Sequence, residues 1–183
     1  MATVEESVGE DGVRRRDFIY VATGAFAAAG AAAAGWSLVN QMNPSADVLA
    51  LASIEVDLSQ VQTGQAIKVS WRGKPVFIRN LTPAEIQAAN KTPVSELRDP
   101  QTLAERTKEG KQNWLVTLGV CTHLGCVPLG AAQGEVRGDY AGYFCPCHGS
   151  HYDTAGRIRK GPAPSNLEVP EYAFKSDTLV QIG

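Results

Sequence analysis

The chain has 183 residues, enough for one domain and an accessory segment. Hydrophobic residues make up 44% of it and charged residues 20%, as in an ordinary globular protein. The formal net charge of −2 lacks the basic excess that nucleic-acid binding requires, so we exclude that class of function.

The amino-terminal segment, residues 1–17, is polar and ends in a run of arginines. Residues 15–19, Arg-Arg-Asp-Phe-Ile, resemble a twin-arginine export signal, which directs folded proteins across a membrane. Such a route allows a metal centre to be assembled in the cytoplasm before export.

Residues 18–39 carry no charge and are mostly Ala and Gly, and about 20 apolar residues are enough to cross a bilayer. We predict a single transmembrane anchor over residues 18–42. Three arginines precede the anchor and no cation follows it closely. By the positive-inside rule, we expect the anchor to lie in a bacterial inner membrane, with the amino end in the cytoplasm and the head in the periplasm. The alternative is a cleaved secretory signal, but the nearest Ala-x-Ala sequence, at 50–52, lies too far beyond the apolar run.

Residues 43–52 connect this anchor to the remainder of the chain. Pro44 should end the helix because it lacks an amide donor and disfavours helix in the residue before it. The small and polar residues that follow predict a flexible hinge, although Val48, Leu49 and Leu51 would allow a short helix. A passive linker is the simpler alternative.

The head, residues 53–183, begins with alternating apolar and polar residues that predict β-strands. The predicted strands lie at 54–58, 66–71, 74–78 and 114–120, with closing strands around Leu167, Val169, Phe174 and 178–182. Residues 81–110 are polar and contain three prolines, so we predict a surface insertion with a helix that begins near Thr82 and Pro83. We assign no chemistry to this insertion.

All four cysteines and all three histidines lie between residues 121 and 151. Two short motifs, Cys-x-His at 121–123 and Cys-x-x-His at 145–148, have the close spacing that is typical of a bound metal. Two thiolates and two imidazoles could hold one zinc ion, or a [2Fe–2S] cluster with two cysteines on one iron and two histidines on the other. These four predicted ligands are Cys121, His123, Cys145 and His148.

Each of the two loops that carry these motifs also has a further thiol that is not a predicted ligand, Cys126 in the first loop and Cys147 in the second. A disulfide between them would hold two loops closed over a cluster at the solvent edge, whereas a zinc finger has no use for such a tie.

Together with Gly161-Pro162-Ala163-Pro164, these motifs resemble those of Rieske iron–sulfur subunits of quinol–cytochrome c oxidoreductases, and the resemblance covers almost the whole chain. It implies one [2Fe–2S] Rieske cluster in a mainly antiparallel β fold, with a base domain and an inserted cluster-binding subdomain at about 119–164. It also implies that Ser150 donates a hydrogen bond to a bridging sulfide and Tyr152 to the Cys121 sulfur. The loop at 161–164 would cover a third side of the cluster, and His151 would be structural or exposed.

The resemblance further implies a catalytic subunit that is not active alone. It would oxidise membrane quinol, taking an electron and a proton through His148, with His123 as the second exposed ligand, and pass the electron to a c-type cytochrome. The expected partners are a cytochrome b subunit and a c-type cytochrome subunit in a dimeric complex. We expect ubiquinol rather than menaquinol, because the resemblance is to the α-proteobacterial and mitochondrial branch.

Three other classes of protein could carry the same ligand motifs. A soluble-type Rieske ferredoxin or oxygenase component fits poorly with the anchor and the extra cysteine pair. A plastoquinol-complex homologue fits poorly with the sequence of residues 149–153 and with the insertion at 81–110. A zinc-stabilised binding module without redox chemistry is the third.

Overall fold

The structure, a computed structural model, describes residues 15–50 and 52–183. The chain divides into two compact units, of which the first ends at Ala46 and the second runs from Asp47 to Gly183. Most of the predicted amino-terminal segment and Leu51 of the predicted hinge lie outside the described residues.

The first unit consists mainly of one helix, α1 (Arg15–Asn40), which has 26 residues and no buried side chain. By length and composition it is able to cross a membrane, as predicted for the anchor. The helix ends two residues before the predicted boundary, and Pro44 follows in a non-helical stretch. A five-residue helix, α2 (Ala46–Ala50), then occupies half of the predicted hinge.

The described part of the second unit contains nine strands, and every pairing between them is antiparallel, which confirms the predicted fold class. The first sheet has the order β1 (Ile54–Asp57), β9 (Leu179–Ile182) and β8 (Tyr172–Phe174). The second has the order β2 (Ala66–Trp71), β3 (Lys74–Asn80) and β4 (Trp114–Leu118). The third has the order β5 (Ala141–Cys145), β6 (Ser150–Asp153) and β7 (Ile158–Lys160).

Strands β3 and β4 of the second sheet are buried on both faces, so this sheet separates two hydrophobic cores. Because successive side chains of a strand point to opposite faces, Val76 and Ile78 of β3 pack into the core shared with the first sheet. Phe77 belongs to the other core, together with Tyr143 and Tyr152 of the third sheet. The second sheet is therefore the layer on which the cysteine- and histidine-bearing part of the head rests.

The prediction of closing strands at Leu167 and Val169 was wrong, because no strand forms there. Leu167 is fully buried, but its backbone bonds in another way. Its amide donates to the Gly156 carbonyl oxygen at 2.9 Å, and its own carbonyl oxygen accepts from Arg106 at 2.5 Å. A side chain and a turn therefore satisfy the groups that a sheet partner would have used.

The segment at 81–110 contains α3 (Pro83–Lys91), a 3₁₀ helix (Val94–Glu96) and α4 (Leu103–Arg106). The predicted helix start is observed, because Thr82 and Glu85 form a capping box at the amino end of α3. The segment is not confined to the surface, since four of its apolar side chains are buried. These are Leu81, Ala89, Leu97 and Leu103.

Candidate metal centre

Two loops carry the predicted ligands, and each extends directly from a strand. The first follows β4 and is closed by two backbone bonds, from the Cys121 amide to the Cys126 carbonyl oxygen at 2.7 Å and from the Gly125 amide to the Cys121 carbonyl oxygen at 2.9 Å. The second is the tight turn from β5 to β6, in which Cys145 pairs with Ser150. These backbone bonds fix the conformation of the two loops that carry the predicted ligands.

The predicted ligands pair across the two loops, because the thiols of Cys121 and Cys145 contact each other and so do the rings of His123 and His148. Cys121 and Cys145 are each 2% exposed, while His123 is half-buried and His148 is exposed. The two imidazole rings lie edge to face, with centroids 4.7 Å apart. Two thiols and two imidazoles in one place are the donor set that a Rieske cluster requires.

His123 supplies the most specific sign of a missing partner. Its Nδ1 is buried and has no hydrogen-bond partner among the described residues. A buried polar atom without a partner costs roughly 1–3 kcal/mol, so native proteins rarely keep one without a reason. Ligation of an iron would supply that partner, and the residues present therefore fit the cluster.

The spare thiols lie beside the predicted ligands. The sulfurs of Cys126, Cys145 and Cys147 lie within 4.8 Å of one another, and of these only Cys145 belongs to the predicted ligand set. All four cysteines are free thiols in the structure, so the pairing of Cys126 with Cys147 stays a prediction. Burial, and then the hydrogen bond with the Cys121 thiol, raise the pKa of Cys145 to about 12.

Two hydroxyl groups predicted to tune the cluster are buried near the ligands. The Tyr152 hydroxyl lies 3.2 Å from the Cys121 sulfur, within hydrogen-bond distance. Burial and this contact raise the pKa of Tyr152, which keeps its hydroxyl protonated and able to donate. The Ser150 hydroxyl oxygen accepts a hydrogen bond from the Ala163 amide at 3.2 Å. That bond leaves the hydroxyl hydrogen of Ser150 free to donate elsewhere.

The glycine-proline loop lies directly on the β5–β6 turn. Gly161 has a φ of +97°, and a Cβ there would lie 2.3 Å from the Gly149 carbonyl oxygen and 2.6 Å from the Ser150 Cα. Only glycine permits both this φ and this close approach. The loop is thus in contact with the turn that carries Cys147 and His148.

The contacts of His151 differ from those of the other two histidines. Its Nδ1 accepts a hydrogen bond from the Asp139 amide at 3.0 Å, and its ring packs against Phe144. These contacts are those of a structural side chain, as its position outside the two motifs suggested.

The sequence analysis missed two further residues beside the site. Thr122 donates from its hydroxyl to the Ser165 carbonyl oxygen at 2.6 Å and from its amide to the Tyr152 hydroxyl at 3.4 Å. Arg98, in the segment to which we assigned no chemistry, contacts the glycine-proline loop. The position of Thr122 between two ligands could have indicated a role, whereas no local pattern marks Arg98.

Comparison with protein families gives two matches that together cover most of the chain. A model described as "Rieske [2Fe-2S] domain" matches residues 55–173. A second, described as "Ubiquitinol-cytochrome C reductase Fe-S subunit TAT signal", matches residues 6–45, which include the twin-arginine motif and all of α1. The fold and the donor set thus define a Rieske [2Fe–2S] protein.

Individual relatives are more specific. The ubiquinol-cytochrome c reductase iron-sulfur subunit of Rhodospirillum rubrum is 56% identical over 185 residues, covering 100% of both chains. The Rickettsia felis subunit of the same name is 58% identical over 92% of this chain and 93% of its own. The mitochondrial cytochrome b-c1 complex subunit Rieske of Neurospora crassa is 57% identical over 91% of this chain and 69% of its own.

Among solved structures, a chain of "Hyperthermophilic respiratory Complex III" is similar, with a TM-score of 0.54 and 28% identity. The match covers 88% of this chain and 98% of that one. The chain belongs to the Rieske iron–sulfur subunits of ubiquinol–cytochrome c reductase. Its cofactor is a [2Fe–2S] cluster and its role is electron transport, so the ferredoxin, plastoquinol and zinc alternatives are set aside.

Proposed function

We propose that this subunit is the quinol-oxidising part of the complex: it takes an electron and a proton from ubiquinol at the cytochrome b subunit and passes the electron to a c-type cytochrome. The observation that carries the proposal is the pair of adjoining imidazoles, one of them exposed, beside two buried thiols. We assign Cys121 and Cys145 to one iron and His123 and His148 to the other.

When bound, the cluster supplies one-electron chemistry at a potential of roughly −150 to +300 mV, against about −400 mV for the [2Fe–2S] clusters of plant-type ferredoxins, which four cysteines hold. Two neutral imidazoles in place of two thiolate anions make the charge at the iron less negative, so the cluster accepts an electron more readily. A histidine that ligates through one ring nitrogen still has the other nitrogen to hold or release a proton. His123 and His148 can therefore accept the quinol proton at the same place as the electron.

His148 is the better candidate for direct contact with the quinol, because its side chain is exposed whereas that of His123 is half-buried. Two apolar side chains next to the first motif, Leu124 and Val127, are 71% and 49% exposed. Exposed apolar groups at this position suit a docking surface that keeps water from the quinol hydroxyl.

A structure of the assembled complex with a quinol-site inhibitor tests the assignment. We expect the inhibitor to accept a hydrogen bond from His148. An inhibitor bonded to His123 would overturn the ranking, and one bonded to neither would overturn the proposed route of the proton. Single substitution of either histidine is less informative, because loss of a ligand should remove the cluster.

We also propose that Cys126 and Cys147 form a disulfide in the mature protein, because their sulfurs lie close together on the two ligand loops. Oxidation on the periplasmic side would permit the bond. Mass spectrometry after alkylation without reduction should find neither thiol labelled. Two labelled thiols at these positions would refute the pairing.

The membrane arrangement follows from α1 and the arginines before it. We propose a single-pass subunit of the bacterial inner membrane, with a cytoplasmic amino terminus, a periplasmic head and a place in a dimeric complex. Protease added to intact spheroplasts should then digest the head. Full protection of the head, with digestion only after lysis, would contradict this orientation.

A further inference from the structure

The side chain of Arg98 connects the segment at 81–110 to the cluster site. Its Nη1 donates to the carbonyl oxygen of Gly161 at 2.7 Å and to that of Ala163 at 2.6 Å. Hydrogen bonds from a charged donor are shorter and stronger than those between neutral groups. One guanidinium therefore fixes two carbonyl groups of the loop that lies on the β5–β6 turn.

The same loop is held at its other end by the residue that follows Arg98. We call residues 161–166 the cover loop. The Asp99 carboxylate accepts a hydrogen bond from the Asn166 amide at 2.9 Å, and the Asp99 carbonyl oxygen accepts one from the Asn166 side chain at 3.1 Å. Thr122 adds its bond to the Ser165 carbonyl oxygen. Residues 98 and 99 thus hold both ends of the cover loop, and Thr122 of the first ligand loop holds Ser165 next to its second end.

The cover loop in turn positions a hydroxyl group beside the ligands. The carbonyl oxygen of Ala163 is bound by Arg98, while the amide of the same residue donates to the Ser150 hydroxyl oxygen at 3.2 Å. Ala163 is fully buried and Ser150 is 1% exposed, so water does not compete for the bond between them. A displacement of Ala163 would therefore move the acceptor that fixes Ser150.

We propose that Arg98 is a positioning residue for the electron-transfer site: it holds the cover loop in place and, through the Ala163 amide, fixes the direction in which the Ser150 hydroxyl donates. This inference rests on the proposed function in one respect, the donation from Ser150 to the cluster. It gives the segment at 81–110 a specific role in setting the redox potential.

The test compares Arg98→Gln with Lys91→Gln in the assembled complex. Lys91 is an exposed cation of the same segment whose side chain makes no hydrogen bond or ion pair in the described part of the chain, so its substitution controls for charge. In Arg98→Gln, amide hydrogen exchange at Ala163 should become faster by about tenfold, and the midpoint potential should fall. Lys91→Gln should change neither quantity. If Arg98→Gln leaves exchange at Ala163 unchanged, the inference is wrong.

A double-mutant cycle with Ser150→Ala separates positioning from charge. If Arg98 acts through Ser150, Arg98→Gln should lower the potential in the presence of Ser150 and have no further effect in Ser150→Ala. An equal shift in both backgrounds would mean that Arg98 acts through its charge alone and would overturn the inference. Arg98→Lys, which keeps the charge but not the guanidinium, serves if the Gln variant loses the cluster.

The same measurements distinguish this inference from the proposed function. If the unsubstituted protein lacked a Rieske-type paramagnetic resonance signal, the proposed function would fail. Exchange at Ala163 would still show whether Arg98 holds the cover loop.

Discussion

Tyr152 and Ser150 are the hydroxyl side chains that the fold buries next to the predicted ligands. A hydrogen bond donated to sulfur stabilises the reduced, more negative cluster and so raises its potential. Tyr152 lies on β6, where its ring is fully buried, and no rotation of an exposed side chain is needed to bring its hydroxyl to Cys121. The contact is therefore a fixed property of the fold.

Tyr152→Phe removes this hydroxyl without changing the packing of the ring. We expect the midpoint potential to fall by roughly 40 mV, the one-electron equivalent of about 1 kcal/mol, while iron content stays the same and quinol oxidation slows. Tyr140→Phe, at a partly exposed tyrosine outside the site, should leave the potential unchanged. Redox titration followed by paramagnetic resonance measures both. An unchanged potential in Tyr152→Phe would mean that the hydroxyl does not act on the cluster.

The site residues that could be predicted from the sequence are those that lie close together along the chain. The ligand residues are recognisable because they repeat at intervals of two and three along two loops. Arg98 reaches Ala163 across 65 positions, and the segment around it has no chemical pattern of its own. Such a contact depends on how α3 and α4 pack, which the alternation of residues does not specify.

Among the elements, the loop at 130–137 is attached to the second sheet in part through the carboxylate of Glu135. Glu135 accepts hydrogen bonds from the amides of Gly130 at 2.8 Å and Ala132 at 2.9 Å, and from Lys68 of β2 at 2.6 Å. Burial raises the pKa of Glu135, but these three donors outweigh it and lower the pKa from 4.5 to about 2.

The sign of this shift predicts a pH dependence for Glu135→Gln. Because the folded-state pKa lies below the ordinary value, the carboxylate stabilises the fold fully above pH 4.5 and loses that contribution as the pH falls towards 2. The difference in free energy of unfolding between the two proteins should therefore be constant near neutral pH and shrink below pH 4.5. Urea denaturation at a series of pH values measures it. A difference that does not change with pH would contradict the assignment of the shift to Glu135.

The strands of the first two sheets were the most predictable elements, because a half-buried strand alternates apolar and polar residues. The three strands of the third sheet were not predicted. The prediction for β2 agrees with the structure at both ends. It failed at Leu167, whose burial depends on Arg106 and Gly156 rather than on a sheet. It also missed the burial of residues at 81–110, where four apolar side chains are scattered among polar ones.

For the whole molecule, the connector at 43–52 raises the question of movement. The boundary between the two compact units, Ala46 to Asp47, falls inside it, and residues 43–49 are exposed. A head that takes electrons at the membrane and delivers them to a cytochrome outside it must approach both partners. We propose that this connector is the hinge, as terminal and loop residues are in other domain rotations.

Proline at both Ala46 and Asp47 would fix φ at these two positions, and the second proline would favour extended backbone at residue 46, so the connector would be stiffer. Turnover of the assembled complex should then fall sharply, while the potential and the resonance signal of the cluster stay normal. Glycine at the same two positions leaves the backbone free and should preserve turnover. Full turnover in the proline variant would show that the head does not need to move.

The central claim is that Cys121, Cys145, His123 and His148 hold a two-iron cluster. The most direct test is pulsed paramagnetic resonance of the dithionite-reduced protein, prepared with natural and with ¹⁵N-labelled histidine. The claim predicts two irons per chain and coupling to two imidazole nitrogens that changes on labelling. Bound zinc in place of iron, or an iron–sulfur signal without coupling to histidine nitrogen, would contradict it.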